Sequence, residues 1–258
     1  PPGQQWRTRG INWSDFDNDG DQDFYVSNYR LMPNQLWVND GQGNFKDEAE
    51  QRGALGTNDG GLESASGETP AYQYSGHTIG SCFGDVNNDG HIDLIVVNFA
   101  HPPAFQDRTM VLLNSGPPHY TFKNINEENG AGIHYQESYA KGALGDYDND
   151  GDLDLCTAGR LFLNATERGH WIELDLIGDG EKVSRTPFGA VVRIELGDRT
   201  LTRFVEPGTG EGNQSATRLH FGLGGSQEPV NLEIVWPDGQ KQRVQQLPVN
   251  QIHQVLYQ

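Results

Sequence analysis

Three clusters of aspartate at alternate positions stand out in this chain, and each runs straight into an apolar segment. The clusters read DFDNDGDQD, DVNNDGHID and DYDNDGDLD and begin at Asp15, Asp85 and Asp146. Alternate side chains of a tight loop can converge on one point, and the glycine permits a turn that a β-carbon would hinder. Ca²⁺ takes about six to eight oxygen ligands, mostly carboxylate and carbonyl. We therefore predict one calcium ion in each loop, about three in all.

The predicted ligands are side-chain oxygens at the first, third, fifth and ninth loop positions and the backbone carbonyl at the seventh. They are Asp15, Asp17, Asp19, Asp23 and the carbonyl of Asp21 in the first loop; Asp85, Asn87, Asp89, Asp93 and the carbonyl of His91 in the second; and Asp146, Asp148, Asp150, Asp154 and the carbonyl of Asp152 in the third. Because Asn87 replaces a carboxylate by a neutral amide, we expect the second site to be the weakest.

An EF-hand begins with a similar pattern, but it needs an acidic side chain at position 12 and a helix afterwards. Position 12 is Val26, Val96 or Thr157 here, each in strand-like sequence, so the EF-hand is excluded. Ordinary Asp-Asn-Gly turns at hairpin ends are the other interpretation. Three copies with the same ligand positions favour metal binding over such turns.

The charge of the chain supports this interpretation. Asp and Glu number 36 against 18 Lys and Arg, a formal charge of −18, and 13 of the aspartates fall within the three loops. Bound cations would offset the repulsion among these carboxylates. An acidic surface repels phosphate, so we expect no nucleic-acid partner. Since no apolar run approaches the roughly 20 residues of a membrane helix, we expect no membrane insertion.

The loops belong to three copies of a larger unit, because their first aspartates lie 70 and then 61 residues apart. A strand-like segment follows each loop, and a second one, at 34–40, 108–114 or 160–164, ends in or next to an asparagine. Four short strands per roughly 60 residues are typical of a propeller blade. Residues 1–167 are therefore predicted to form three blades.

After about residue 168 the aspartate loops stop, and amphipathic strands alternate with Gly, Asp-Gly and Pro-Asp-Gly turns. This pattern predicts a second all-β unit over residues 168–258, a small β-sandwich or open barrel. The predicted fold class is therefore all-β: a partial β-propeller of three blades followed by this unit.

The three loops, each followed by a strand, resemble the FG-GAP/VCBS repeats of integrin-like β-propellers. The tail, from GHWIELDL through GAVVRIEL and TRLHFGLG to VNLEIVWPDGQ, resembles the ASPIC/UnbV domain. The pair in this order is similar to the cartilage acidic protein family and its bacterial relatives. That resemblance implies calcium in the blade loops, an exported location and a role in adhesion or interaction.

Three blades are fewer than the roughly four that a closed propeller needs. We expect the chain to be part of a larger propeller or assembly, with a protein partner or a second copy pairing with its open blade edges. The alternative is a self-contained unit whose edges are covered by other elements of the chain.

The function that we expect is a non-enzymatic interaction or scaffold protein in an extracellular, cell-surface or periplasmic location. A calcium-dependent glycan-binding propeller is the alternative, with Tyr72 and Tyr74 of a long insertion as candidate stacking residues. A sugar-acting lyase is less favoured, because the histidines lack metal-site spacing. Cys82 lies in a G-x-C-x-G sequence, but no helix follows it, so we predict a core thiol rather than a nucleophile. We expect Cys156 to be a second buried thiol; a disulfide between Cys82 and Cys156 is the alternative.

Overall fold

The computed structural model describes residues 7–29, 32–56, 77–99, 109–125, 141–157, 159–166, 169–208, 210 and 213–258. Over these residues the chain forms five small β-sheets and almost no helix, which confirms the all-β, propeller-like prediction. One four-residue helix is the only helix described. No helix in this part of the chain is long and apolar enough to cross a membrane.

The first sheet is an antiparallel blade with the strand order β1-β2-β3-β4. Its strands are β1 (Thr8–Ser14), β2 (Asp23–Asn28), β3 (Gln35–Asn39) and β4 (Phe45–Asp47). The first aspartate loop joins β1 to β2. The helix α1 (Ala49–Arg52) follows β4 and ends at Gly53, whose φ of 73° suits a residue without a β-carbon.

The second and third sheets repeat this course. The second contains β5 (Thr78–Gly84), β6 (Asp93–Asn98), β7 (Met110–Asn114) and β8 (Phe122–Asn124) in sequential order. The third contains β9 (Gly142–Gly145), β10 (Asp154–Thr157) and β11 (Arg160–Phe162). In both sheets the aspartate loop again joins the first strand to the second, so each loop has the same position in its blade.

The middle blade is covered on both faces, and its strand β6 is buried along its whole length. Side chains alternate between the two faces of a strand. Leu94 and Val96 pack towards the first blade, whereas Ile95 and Val97 pack towards the third. This explains why the segment DLIVVN is apolar without alternation.

The C-terminal unit is a sandwich of two sheets with the strand orders β15-β12-β18 and β14-β13-β16-β17. Its strands are β12 (His170–Ile177), β13 (Val191–Leu196), β14 (Arg199–Phe204), β15 (Leu219–Gly224), β16 (Val230–Val235), β17 (Lys241–Leu247) and β18 (Ile252–Leu256). Alternate residues such as Ile172, Ile194 and Ile234 face one shared core that also holds Trp236. Of the two predicted forms, the unit therefore adopts the sandwich.

The first strands of the blades lie side by side, since β1 contacts β5 and β5 contacts β9. A segment of the C-terminal unit, called here the crossing segment (described residues 205–208, 210 and 213–216), lies against them. Gly210 forms an antiparallel bridge with Gly10 of β1, and the amide of Ala216 donates to the carbonyl of Leu144 in β9 at 2.8 Å. Other elements of the chain therefore cover these inner edges. The predicted pairing of a partner or a second copy with open blade edges stays a prediction for the outer strands of the blades.

Candidate metal centre

The three aspartate loops share one backbone conformation. The asparagine at the fourth position has a positive φ in each loop, 55° at Asn18, 59° at Asn88 and 60° at Asn149. The glycine two residues later also has a positive φ, and its amide donates to the first aspartate of its loop. Asparagine and glycine tolerate this left-handed region best, which explains why Asn-Asp-Gly recurs in every copy.

The last aspartate of each loop is braced by an asparagine near the end of the third strand. The backbone amides of Asn39, Asn114 and Asn164 donate to Asp23, Asp93 and Asp154, each at 2.8 Å. The same asparagine side chains donate to the carbonyl at the eighth loop position. Sequence reasoning did not assign this role to them, although their recurrence after each third strand was a usable signal.

The first loop gathers oxygen atoms that lack partners. Carboxylate oxygens of Asp15, Asp17 and Asp19 lie within 4.8 Å of one another. Four buried carboxylate oxygens have no hydrogen-bond partner: Asp15 Oδ2, Asp17 Oδ1, Asp21 Oδ1 and Asp23 Oδ2. Leaving charged oxygens buried and unpaired is costly, so a bound cation fits this loop.

Burial makes the charged form of this loop costly. It raises the pKa of Asp15 to about 6, of Asp17 to about 7 and of Asp23 to about 9. Repulsion from Asp19 adds to the shift at Asp17. A divalent cation among these carboxylates would favour their ionised form.

The third loop gathers carboxylates as well, with oxygens of Asp146, Asp148 and Asp154 within 4.8 Å of one another. Asp148 is exposed, and lost hydration together with its acidic neighbours raises its pKa. Glu173 of β12 adds a further buried carboxyl, and burial and the nearby Asp146 raise its pKa to about 8. This accumulation of negative charge also suits a cation.

The second loop differs from the other two. All six carboxylate oxygens of Asp85, Asp89 and Asp93 accept hydrogen bonds from protein groups. One of the donors is the amide of Asn87, which lies 3.0 Å from Asp89 Oδ2. Among the described residues no third group of close acids occurs here. Burial raises the pKa of both Asp85 and Asp93.

Six of the fifteen predicted ligands are thus brought together, in loops one and three, and the ion assigned to loop two stays a prediction. The carbonyl ligands at Asp21, His91 and Asp152 also remain predictions. The side chains of two of these residues have other partners: Asp152 Oδ1 accepts from Asn88, and His91 Nε2 lies 3.0 Å from Arg199. Asp150 Oδ1 accepts from the amide of Asp152 within the third loop.

Hydrogen bonds connect the loops in series. Asn18 Nδ2 donates to the carbonyl of Gly90 at 3.4 Å, and Asn88 Nδ2 donates to that of Gly151 at 3.2 Å. The fourth-position asparagine of the third loop, Asn149, accepts instead from Arg218 of the C-terminal unit at 2.8 Å. The C-terminal unit therefore supplies Asn149 with the partner that the next loop supplies to Asn18 and Asn88.

The two cysteines are free thiols. Cys82 is buried as predicted, and burial raises its pKa to about 12. The prediction that Cys156 is buried was wrong, because it projects from the opposite face of β10 to the buried Leu155. The candidate glycan residues Tyr72 and Tyr74 lie outside the described residues.

Comparison with protein families agrees with this architecture. The model of the FG-GAP-like repeat matches residues 85–157, which span the second and third loops. The model of the ASPIC and UnbV family matches residues 180–258, within the sandwich. Both matches confirm the resemblance inferred from the sequence. A search of the curated proteins found no match.

Proposed function

We propose that this chain, an FG-GAP-like repeat region joined to an ASPIC and UnbV region, is a calcium-binding interaction scaffold and not an enzyme. The observation that carries the proposal is the gathering of three carboxylates within 4.8 Å in the first and third loops. The unpartnered buried oxygens of the first loop support it. In each of these two loops the ion would tie the turn between the first two strands of a blade.

Calcium is the metal that suits these loops best. All of the side chains offered are hard oxygen donors, and the loops are irregular, which Ca²⁺ accepts and the octahedral Mg²⁺ does not. Extracellular calcium modules bind with dissociation constants of about 10⁻⁴ to 10⁻³ M. Such affinities need the millimolar calcium found outside the cytoplasm, so we propose an extracellular, cell-surface or periplasmic location. The FG-GAP-like repeat region supports a protein partner.

Thermal unfolding with and without calcium tests the proposal. At 10 mM calcium, two sites of this affinity would stabilise the fold by about 3 to 5 kcal/mol. The melting temperature should therefore rise by about 10 °C over that in chelator. Equal concentrations of Mg²⁺ should give a clearly smaller rise, and NaCl of matched ionic strength controls for screening. An unchanged melting temperature with calcium would contradict the proposal.

A matched pair of variants locates the effect. Asp148 lies in the acid group of the third loop and is exposed, so Asp148→Asn removes ligand charge without disturbing a core. Glu195 is an exposed acid on β13 of the sandwich, and Glu195→Gln removes the same charge elsewhere. Equilibrium dialysis should show one fewer bound calcium ion for Asp148→Asn and no change for Glu195→Gln.

A glycan-binding surface is the second candidate function, and a row of aromatic side chains supports it. Trp13, Phe24 and Trp37 are paired across β1, β2 and β3, with ring centroids 4.7 and 6.0 Å apart. Phe45 of β4 extends the row, 5.0 Å from Phe24. Trp13 and Phe45 are exposed by 41% and 37%, and exposed aromatic faces of this kind can stack on sugar rings.

A glycan array probed with the whole chain tests this candidate. If the row binds sugar, calcium-loaded protein should bind a defined set of glycans, and Trp13→Ala should lose them. The exposed Tyr147 serves as a control aromatic residue outside the row. Binding that survives Trp13→Ala, or that Tyr147→Ala reduces equally, would exclude the row as the binding surface.

A further inference from the structure

The second loop has fewer acids than its neighbours and a different environment. Asn87 and His91 stand where the third loop has Asp148 and Asp152, so the second loop has three acids and the others have five. Asp85 and Asp93 accept the same backbone hydrogen bonds as Asp146 and Asp154 of the third loop. What differs is Asp89, whose second oxygen accepts from the side-chain amide of Asn87. Buried acids in this number still require positive charge nearby.

Arg203 of β14 supplies one such charge. The residue is only 8% exposed, and it lines a cavity of roughly 110 Å³ together with Ile92 of the second loop and Ser14 of β1. Its Nε and Nη1 donate to the carbonyls of His220 and Thr202, and its Nη2 has no hydrogen-bond partner. Burial lowers its pKa, and attraction from Asp85, then Asp15 and Asp93, opposes that shift.

Arg199, at the start of the same strand, supplies a second charge. Its Nη1 lies 3.0 Å from His91 Nε2 at the seventh position of the loop. Its guanidinium is also so close to Gly90 that a β-carbon there would come within 3.2 Å of Nη2. One strand of the C-terminal unit therefore places the Arg199 guanidinium against the second loop, and the Arg203 guanidinium where Asp85 and Asp93 of that loop and Asp15 of the first loop attract it.

The arginines near the other loops are neutralised by acids of their own. Arg52 lies 3.7 Å from Asp17 but forms a closer ion pair with Glu48 at 2.9 Å. Arg218, beside the third loop, pairs with both Glu173 and Asp175 at 3.2 Å. By contrast, neither Arg199 nor Arg203 forms an ion pair within the part of the chain that the structure describes.

We propose that the second loop takes no calcium ion, because Arg203 and Arg199 of the C-terminal unit supply its two compensating positive charges. The inference rests on the proposed function, in which loops one and three hold calcium. The second loop is then a permanent attachment point between the blades and the sandwich, and its geometry does not depend on calcium.

Backbone contacts at this loop agree with a permanent attachment. The amide of Gly224 donates to the carbonyl of Asn88 at 2.8 Å. Gly222 lies so close to the loop that a β-carbon would come within 2.0 Å of Asp85 Oδ2. Only glycine allows β15 to approach the first aspartate in this way.

Calcium stoichiometry of the full chain, measured by equilibrium dialysis at 10 mM calcium, tests the inference. The variants are Asp89→Asn in the second loop and Asp148→Asn in the third. Each replaces one carboxylate oxygen by an amide nitrogen. We expect two bound ions for the wild type, two for Asp89→Asn and one for Asp148→Asn. Three ions in the wild type with a loss of one in Asp89→Asn would overturn the inference and leave the proposed function intact. No bound ion in the wild type would overturn both.

The role of Arg203 has its own test. In chelator, Arg203→Met leaves the buried acids of the second loop uncompensated, and the melting temperature should fall by about 10 °C. Calcium should raise the melting temperature of Arg203→Met more than that of the wild type, with a third ion bound. Arg203→Lys retains the charge and should bind two ions, like the wild type. A folded Arg203→Met protein that still binds two ions would contradict the assignment of Arg203.

Discussion

The side-chain amide of Asn88 donates a hydrogen bond to the carboxylate of Asp152 at 2.7 Å and so joins the second loop to the third. The same amide also donates to the carbonyl of Gly151, and Asn88 is buried to 1% exposure. The residue is therefore a structural link between two blades and not a metal ligand.

Replacing this link should cost stability. Asn88→Ala removes two buried hydrogen bonds and places alanine at a φ of 59°, so we expect a loss of about 2 to 4 kcal/mol. Asn18→Ala is the matched control, because Asn18 has the same backbone conformation, is half-buried and makes a longer bond of 3.4 Å. It should lose about 1 to 2 kcal/mol. Urea unfolding in excess calcium measures the stability of both variants. Equal losses would contradict the role of Asn88 as a link between the second and third blades.

The loop glycines offer a second matched pair. A β-carbon on Gly151 would lie 1.8 Å from the ring of Trp171, whereas one on Gly20 would meet nothing within 4 Å. The φ values are nearly equal, 94° and 97°. Gly20→Ala should therefore cost only the backbone strain, about 1 to 2 kcal/mol. Gly151→Ala also displaces Trp171 and should cost more than about 3 kcal/mol. Urea unfolding measures the free energy of unfolding of both variants. A similar loss in both would show that the Trp171 side chain moves aside at little cost.

Glu206, in the crossing segment, should make stability depend on pH. Burial raises its pKa to about 7 from an ordinary 4.5. The folded state then holds more protons than the unfolded state between these values, so stability falls as pH rises through that range. The full difference corresponds to about 3 kcal/mol.

Glu206→Gln removes this penalty. The variant should be more stable than the wild type at pH 8, by up to about 3 kcal/mol, and similar to it at pH 4.5. Unfolding free energies in saturating calcium at several pH values measure the difference, and Glu195→Gln is the exposed control. A difference between wild type and Glu206→Gln that does not change with pH would contradict the assignment.

The thiols should differ in reactivity. With a pKa of about 12, Cys82 has roughly a 1,000-fold smaller thiolate fraction than an ordinary cysteine, and it is buried. An aromatic disulfide reagent at pH 8 should therefore label one thiol quickly in the native protein and two in denaturant. Cys156→Ser should abolish the fast reaction, and Cys82→Ser should leave it unchanged. Fast labelling of Cys82 would show that the inner strands open readily.

Local patterns predicted the blades and loops well, because their determinants lie close together in the chain. The ligand positions of Asp15, Asp17 and Asp19 follow from spacing within five residues, and the resulting cluster is present. The burial of Cys156 was mispredicted, since a strand pattern does not reveal which face of an outer blade is covered.

The surroundings of the second loop could not be predicted in this way. Arg199 meets His91 across 108 residues, and this contact exists only after the sandwich has docked on the blades. Neither arginine belongs to a repeated pattern, so no periodicity in the sequence indicates its partner. The same is true of Trp171, whose contact with Gly151 arises from tertiary packing.

The bridge between Gly10 and Gly210 has a consequence for biosynthesis. A ribosome completes β1 about 200 residues before it adds Gly210, the residue that will bridge to the edge of β1. Until then the nascent first blade presents unpaired amides and carbonyls, which invite association with other chains. Contacts of such sequence separation also slow folding. We therefore expect the newly made chain to need protection by a chaperone until the segment that contains Gly210 emerges.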